Sequence, residues 1–381
     1  MMRRQHRRGV RIASIAILFS IFHFLFFICA AAQSNPNFQV RLDIDYASAE
    51  QTLDLYQDRF VSTENLASLR GNQIASATAG MIAHNGSVTS QFKEYLDSVK
   101  EHLHLQSDVY HMEAARARSA EIAALLTLIK KENFSDRVTA TVEQIFPQTA
   151  KIEASIPLYF VALGHENVDA FVRRIVWQGN SPQFVGEHQG DLTIVVNLAK
   201  AVDYPGNTQQ KFIQMLFVVS HEVFHAAFGV YKDGSPVWRA YMASHQRAFD
   251  QLLDLTQNEG IAYYLSLNQA GKGYLPPDWD THMRAELATF NKNAAELLAK
   301  DVTPQRASEL IRTANLSGYW ESYGAMAGMF IAREIDKESS RAALIETIEK
   351  GPADFFNKYA ALTQRNNNLP PLSTEIQNAV Q

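Results

Sequence analysis

Residues 221–225 read His-Glu-Val-Phe-His. On a helix, side chains four apart stand one above the other, so His221 and His225 can hold a single metal ion between them. Glu222, one residue further round, then faces whatever the metal binds and can act as a base toward it. Two imidazoles beside a carboxylate suit zinc-assisted hydrolysis. With 12 histidines and 22 glutamates in 381 residues, a shuffled chain would contain this pattern about once in fifty trials. The flanks sharpen the signal. Val218-Val219-Ser220 precedes the motif and Ala226-Ala227-Phe228 follows it, with no charge or proline. Ligands on such an apolar helix can be held rigidly with little water around them. The plainer alternative is a buried helix with two hydrogen-bonded histidines.

The helix must be started, stopped and given a third ligand. Asn207 with Gln210 three residues on reads as a capping box, and Gly229 offers a stop. A third histidine six residues past His225, as in the metzincin pattern, is excluded because position 231 is Tyr231. Cys29 is the only cysteine and lies near the N-terminus. A downstream carboxylate remains. Glu259 falls in the helical-looking run Gln257-Asn258-Glu259-Gly260-Ile261-Ala262, where Gly260 admits a close backbone neighbour.

His-Glu-x-x-His followed by Glu-Gly-x-Ala on a second helix resembles the gluzincins, the thermolysin-like branch of the zincin metallopeptidases. The resemblance implies a zinc site of His221, His225 and Glu259, and a small sheet preceding the metal helix. It also implies a peptide bound along an edge strand, placed here near Glu187–Asp191. One departure concerns the aspartate that, in the thermolysin pattern, orients the first histidine: its place is taken by Tyr263. Asp250 or Asp254 then becomes the candidate partner. A looser resemblance covers most of the chain beyond the leader. Val40–Asp45, the Glu-Gly-Ile-Ala run, Tyr323-Gly324-Ala325-Met326 and Gly351–Phe356 are similar to a family of uncharacterised bacterial zinc-dependent peptidases.

The expected chemistry follows. With zinc at His221, His225 and Glu259, Glu222 takes a proton from water and returns it to the leaving amine. Tyr323 is the first candidate for stabilising the oxyanion, followed by Tyr319, Tyr231 and His245. The substrate is a peptide or protein. The same ligands would serve an amidase acting on small or cell-wall amides, or a non-catalytic exported binding protein, although the latter has no use for Glu222.

Arg3, Arg4, Arg7, Arg8 and Arg11 precede an apolar run from Ile12 to Ile28 and Ala30-Ala31-Ala32. Residues 1–32 therefore read as a secretory signal peptide or, if uncleaved, a membrane anchor. Their removal leaves 30 basic against 40 acidic side chains, a net of −10. That balance, with no basic patch, argues against nucleic-acid binding. The remaining chain has no cysteine, so its stability rests on its core, as suits a bacterial periplasmic or secreted enzyme.

The expected fold is α+β and mostly helical. Residues 33–150 form a helical N-terminal subdomain, with helices over Ala47–Arg59, Ser62–His84, Val88–His104 and Val109–Lys131. His102 and His104 cannot share a helix face, so no second metal site is expected there. Residues 151–272 form a zincin-like core, with strands over Pro157–Leu163 and Leu192–Leu198 and a strand or short helix over Val168–Trp177. Residues 273–381 are a helical C-terminal part. There Tyr274–Asp278 ends the preceding helix, three or four helices follow, Gly324 and Gly328 line a stripe for tight packing, and Ser373–Gln381 is a frayed tail.

Overall fold

The computed structural model describes residues 35–105, 107–165, 168–186, 189–268, 278–315 and 322–381. The leader, Tyr319 and Tyr274–Pro277 therefore fall outside the described residues. The protein is mostly helical with one mixed sheet, an α+β fold.

The strands are β1 (Phe38–Asp45), β2 (Ile152–Val161), β3 (Ala170–Gln178), β4 (Ser181–Phe184) and β5 (Asp191–Asn197). Their spatial order is β1-β2-β5-β3-β4. β1 and β5 both pair parallel with β2, whereas β3 runs antiparallel to β5 and to β4. The run 168–177 thus resolves as a strand. Gly179-Asn180 turns it back into β4, with Gly179 at φ +60°, a conformation glycine adopts without a Cβ penalty.

β1 changes the domain division. Phe38, Val40 and Leu42 are buried while Gln39, Arg41 and Asp43 face out, the alternation of a strand with one covered face. Its partner β2 lies more than 100 residues later, with Phe38 opposite Ile152. A boundary at 150 would cut this pair, and residues on both sides of it share one hydrophobic core. The expected N-terminal helices are shorter and more broken than the periodicity implies. Ser62–His84 divides into Thr63–Ser68 and Arg70–Ile82 at Leu69, whose ψ of 131° is extended.

Three helices position the site. The motif helix runs from Thr208 to Gly234, with Asn207 and Gln210 forming the capping box through bonds of 3.0 and 2.8 Å. It does not stop at Gly229. A glycine inside a helix costs about 1 kcal/mol, and the next turn offsets this by burying Tyr231 and pairing Lys232 with Asp254 at 2.6 Å. Ser235 and Pro236 then end this helix and begin the next. The motif helix lies against β2, β3 and β5, with Phe212, Val219, Val223, Phe224 and Phe228 buried.

The glutamate helix, Ala248–Tyr263, packs on the motif helix and on the helix Tyr323–Glu338. Its end widens into a π-helical turn over Tyr264–Asn268. Six helices occupy the described residues after 278, more than the periodicity implies. The last, Thr374–Ala379, is no frayed tail. Ser373 caps it, Ile376 is buried, and Asn357 Nδ2 donates to the Val380 carbonyl at 3.0 Å.

Candidate metal centre

His221 and His225 leave the motif helix on the face toward the glutamate helix, which returns Glu259 to the same point. His225 Nε2 lies 3.0 Å from His221 Nε2, and Glu259 Oε2 lies 3.3 Å from the former and 3.6 Å from the latter. Three ligand atoms about 2.0–2.2 Å from a tetrahedral zinc are about 3.3–3.5 Å apart. The triangle therefore has the size of one face of a zinc tetrahedron, with the donor types zinc prefers. Among the described residues this is the only group of three or more His, Cys, Asp or Glu able to share an ion. The side chains keep 13%, 20% and 16% of their surface open for His221, His225 and Glu259, so the three are not sealed from solvent.

The partner that orients a histidine is neither Asp250 nor Asp254. Asp250 caps its own helix with Arg247, and Asp254 is held by Lys232. Asn258 fills the role: the Nδ1–H of His225 donates to Asn258 Oδ1 at 3.1 Å. That bond fixes the tautomer whose Nε2 lone pair points at the metal position. At the departure from the thermolysin pattern, the Tyr263 ring packs edge-on against His221, with centroids 4.6 Å apart.

Electrostatics follow from enclosure. Burial raises the Glu222 carboxyl above the usual carboxylate range. The two histidines work against this, while Glu259 and Asp169 add to it. Burial alone would lower the His225 imidazole, but Glu259 beside it, helped by Glu222 and Asn258, holds it up at about 9 in the metal-free chain. Burial would also raise Glu259, yet the two imidazoles hold its carboxyl well below the usual range.

Among the described residues, the expected oxyanion donors Tyr323, Tyr231 and His245 are not brought to this point. Tyr323 is buried and its hydroxyl donates to the Leu310 carbonyl at 2.8 Å. Its helix meets the glutamate helix through Thr256 and Gly260 rather than on the side that carries Glu259. Tyr231 packs against Phe146 with its charge environment set by Glu349. His245 stacks on Tyr241 at 4.2 Å. Of the Glu187–Asp191 stretch expected to hold the peptide, residues 187 and 188 lie outside the described residues, and Asp191 opens β5 opposite Ile175 of β3, inside the sheet. Among the described residues β4 pairs with β3 along Ile175–Gln178, Val185 N–H donates to the Arg174 carbonyl, and Arg173 just before that stretch lies within electrostatic reach of Glu222.

Asn258 and Arg173 were missed by the motif reading. Asn258 is legible as the neighbour of the expected ligand. Arg173 is legible from alternation, because one of two consecutive arginines in the strand Phe171-Val172-Arg173-Arg174-Ile175 must face inward.

Two histidines from one helix and a glutamate from a second thus form a group that could hold a metal ion, with the Glu222 carboxyl enclosed beside them. The profile of the family described as "Putative zinc dependent peptidase (DUF5700)" matches residues 63–368, and the chain belongs to that family. No curated protein and no solved structure matches it.

Proposed function

We propose that the chain is a gluzincin-type zinc peptidase that hydrolyses peptide bonds with Glu222 as general base. The observation that carries this reading is the convergence of His221, His225 and Glu259 to within 3.6 Å of one another beside Glu222. Zinc, when bound, polarises a carbonyl and lowers the pKa of water toward neutrality. The protein supplies the rest. Asn258 keeps the His225 Nε2 lone pair directed inward. Glu222, its basicity raised by enclosure, takes the proton of the attacking water and delivers it to the amine nitrogen as the C–N bond breaks.

The basic and apolar leader supports an exported protein, released or membrane-anchored.

A peptide-library digest with zinc-loaded protein tests the reading. Internal or terminal cleavage of peptides that disappears with a chelator and returns with zinc is the expected result. Turnover confined to small non-peptide amides would assign an amidase instead, and no turnover with zinc present would remove the enzymatic reading.

A further inference from the structure

Arg173 is a partly buried cation on β3 with an unpartnered donor. It shares the face of β3 with buried Phe171 and Ile175, and its guanidinium carbon lies 5.2 Å from the Phe171 ring centre and 5.7 Å from that of Phe184. Nη1 donates to the Val172 carbonyl at 2.8 Å. Nε is buried and has no hydrogen-bond partner. Among the described residues, no carboxylate comes within ion-pair distance of this guanidinium. Its neighbour Arg174 differs, reaching outward to the Gly190 carbonyl at 3.4 Å.

An orphaned donor on a partly buried cation is unfavourable, and sites of this kind persist where a ligand completes them. The chemistry of the missing ligand can be read from the shape of what is free. With Nη1 engaged and Nε enclosed, Nη2 is the donor left for a ligand, and an anionic oxygen beside it would offset a cation that has no ion-pair partner among the described residues. Arg173 also lies within electrostatic reach of Glu222, beside the three candidate ligands.

We propose that Arg173 receives a substrate carboxylate, so that the peptides cleaved carry a free carboxylate close to the scissile bond. The inference rests on the peptidase reading above. The carboxylate is either the C-terminus of the peptide or an acidic side chain, and both present the same two-oxygen group to the guanidinium.

The test uses the full zinc-loaded chain and matched peptides in two arms. One arm compares a free C-terminus with its amide; the other compares Glu and Asp with Gln and Asn near the cleaved bond. Wild type is expected to favour the carboxylate member of one arm by at least ~10²-fold in kcat/KM, as sites built around a specific polar group do. The arm that responds identifies the source. Arg173→Gln should erase the preference, read as the ratio of the two peptides on one preparation, with the zinc content of wild type, and Arg173→Lys should restore part of it.

A binding measurement makes the same comparison without turnover. Glu222→Gln protein should bind the favoured carboxylate peptide more tightly than its neutral twin, and adding Arg173→Gln should abolish the difference. Equal use of both peptides by wild type would overturn the proposal. So would an equal loss on every substrate in Arg173→Gln, which would assign a general electrostatic role. If zinc-loaded wild type cleaves nothing, the peptidase reading fails; the binding comparison still decides whether Arg173 receives a carboxylate.

Discussion

Gly260, next to Glu259, lies directly against the backbone of Gly328. A Cβ added at 260 would sit 2.2 Å from the Gly328 carbonyl carbon, and one added at 328 would sit 1.9 Å from the Thr256 carbonyl oxygen. Backbone cannot yield as a flexible side chain can, so the two helices would have to separate. Gly260→Ala and Gly328→Ala are each expected to destabilise the fold by at least about 1–3 kcal/mol and to weaken zinc binding by moving Glu259. Thermal melts and zinc titration check both effects. Gly229→Ala is the contrast. Nothing lies within 4 Å of its added Cβ, and as a mid-helix glycine it should gain about 0.4–1 kcal/mol on substitution.

Asn258 governs the His225 tautomer. Its replacement by Ala should reduce zinc affinity about 10–100-fold, the usual consequence of losing a partner to a metal-bound imidazole. Asn258→Asp keeps an acceptor for Nδ1–H and should retain most of the affinity. A competition titration against a chromophoric chelator separates the two variants.

Metal-free His225 holds its proton up to about pH 9 because Glu259 and Glu222 outweigh the effect of burial. Zinc must displace that proton to reach Nε2. Binding at pH 7–8 is therefore expected to release about one proton, and affinity should rise with pH until it levels off near 9. Calorimetric titration in buffers of different ionisation enthalpy measures the release directly. Affinity that stays flat between pH 6 and 9 would contradict this account of the site.

Glu222→Gln removes the base and preserves the shape. Zinc content should remain that of wild type, while kcat falls by about 10²–10⁴-fold or more. Metal analysis and single-turnover assays on one preparation read both quantities together.

The site was legible to the extent that its geometry is local. The i, i+4 spacing places His221 and His225 on one face without knowledge of the fold, and Asn207 with Gln210 marks where that helix starts. Gly260 and Gly328 were readable as sites of close approach because small residues on facing helices have few other uses.

What escaped depends on partners distant in sequence. β1 cannot be recognised as part of the core sheet until its parallel partner, more than 100 residues away, is known. Asp250 and Asp254 have the right chemistry to orient a histidine, but Arg247 and Lys232 occupy them. The Tyr323 hydroxyl is likewise taken by the Leu310 carbonyl. Gly229 resembled a stop because local propensity says nothing of the tertiary contacts that carry the helix five residues further.

The most direct test is zinc stoichiometry in purified wild type beside Glu259→Ala and His225→Ala. One equivalent of zinc in wild type, with most of it lost in each variant while the fold is retained, is the predicted result. A wild-type chain that takes up no zinc, or a Glu259→Ala chain that holds it as tightly as wild type, would contradict the three-ligand site.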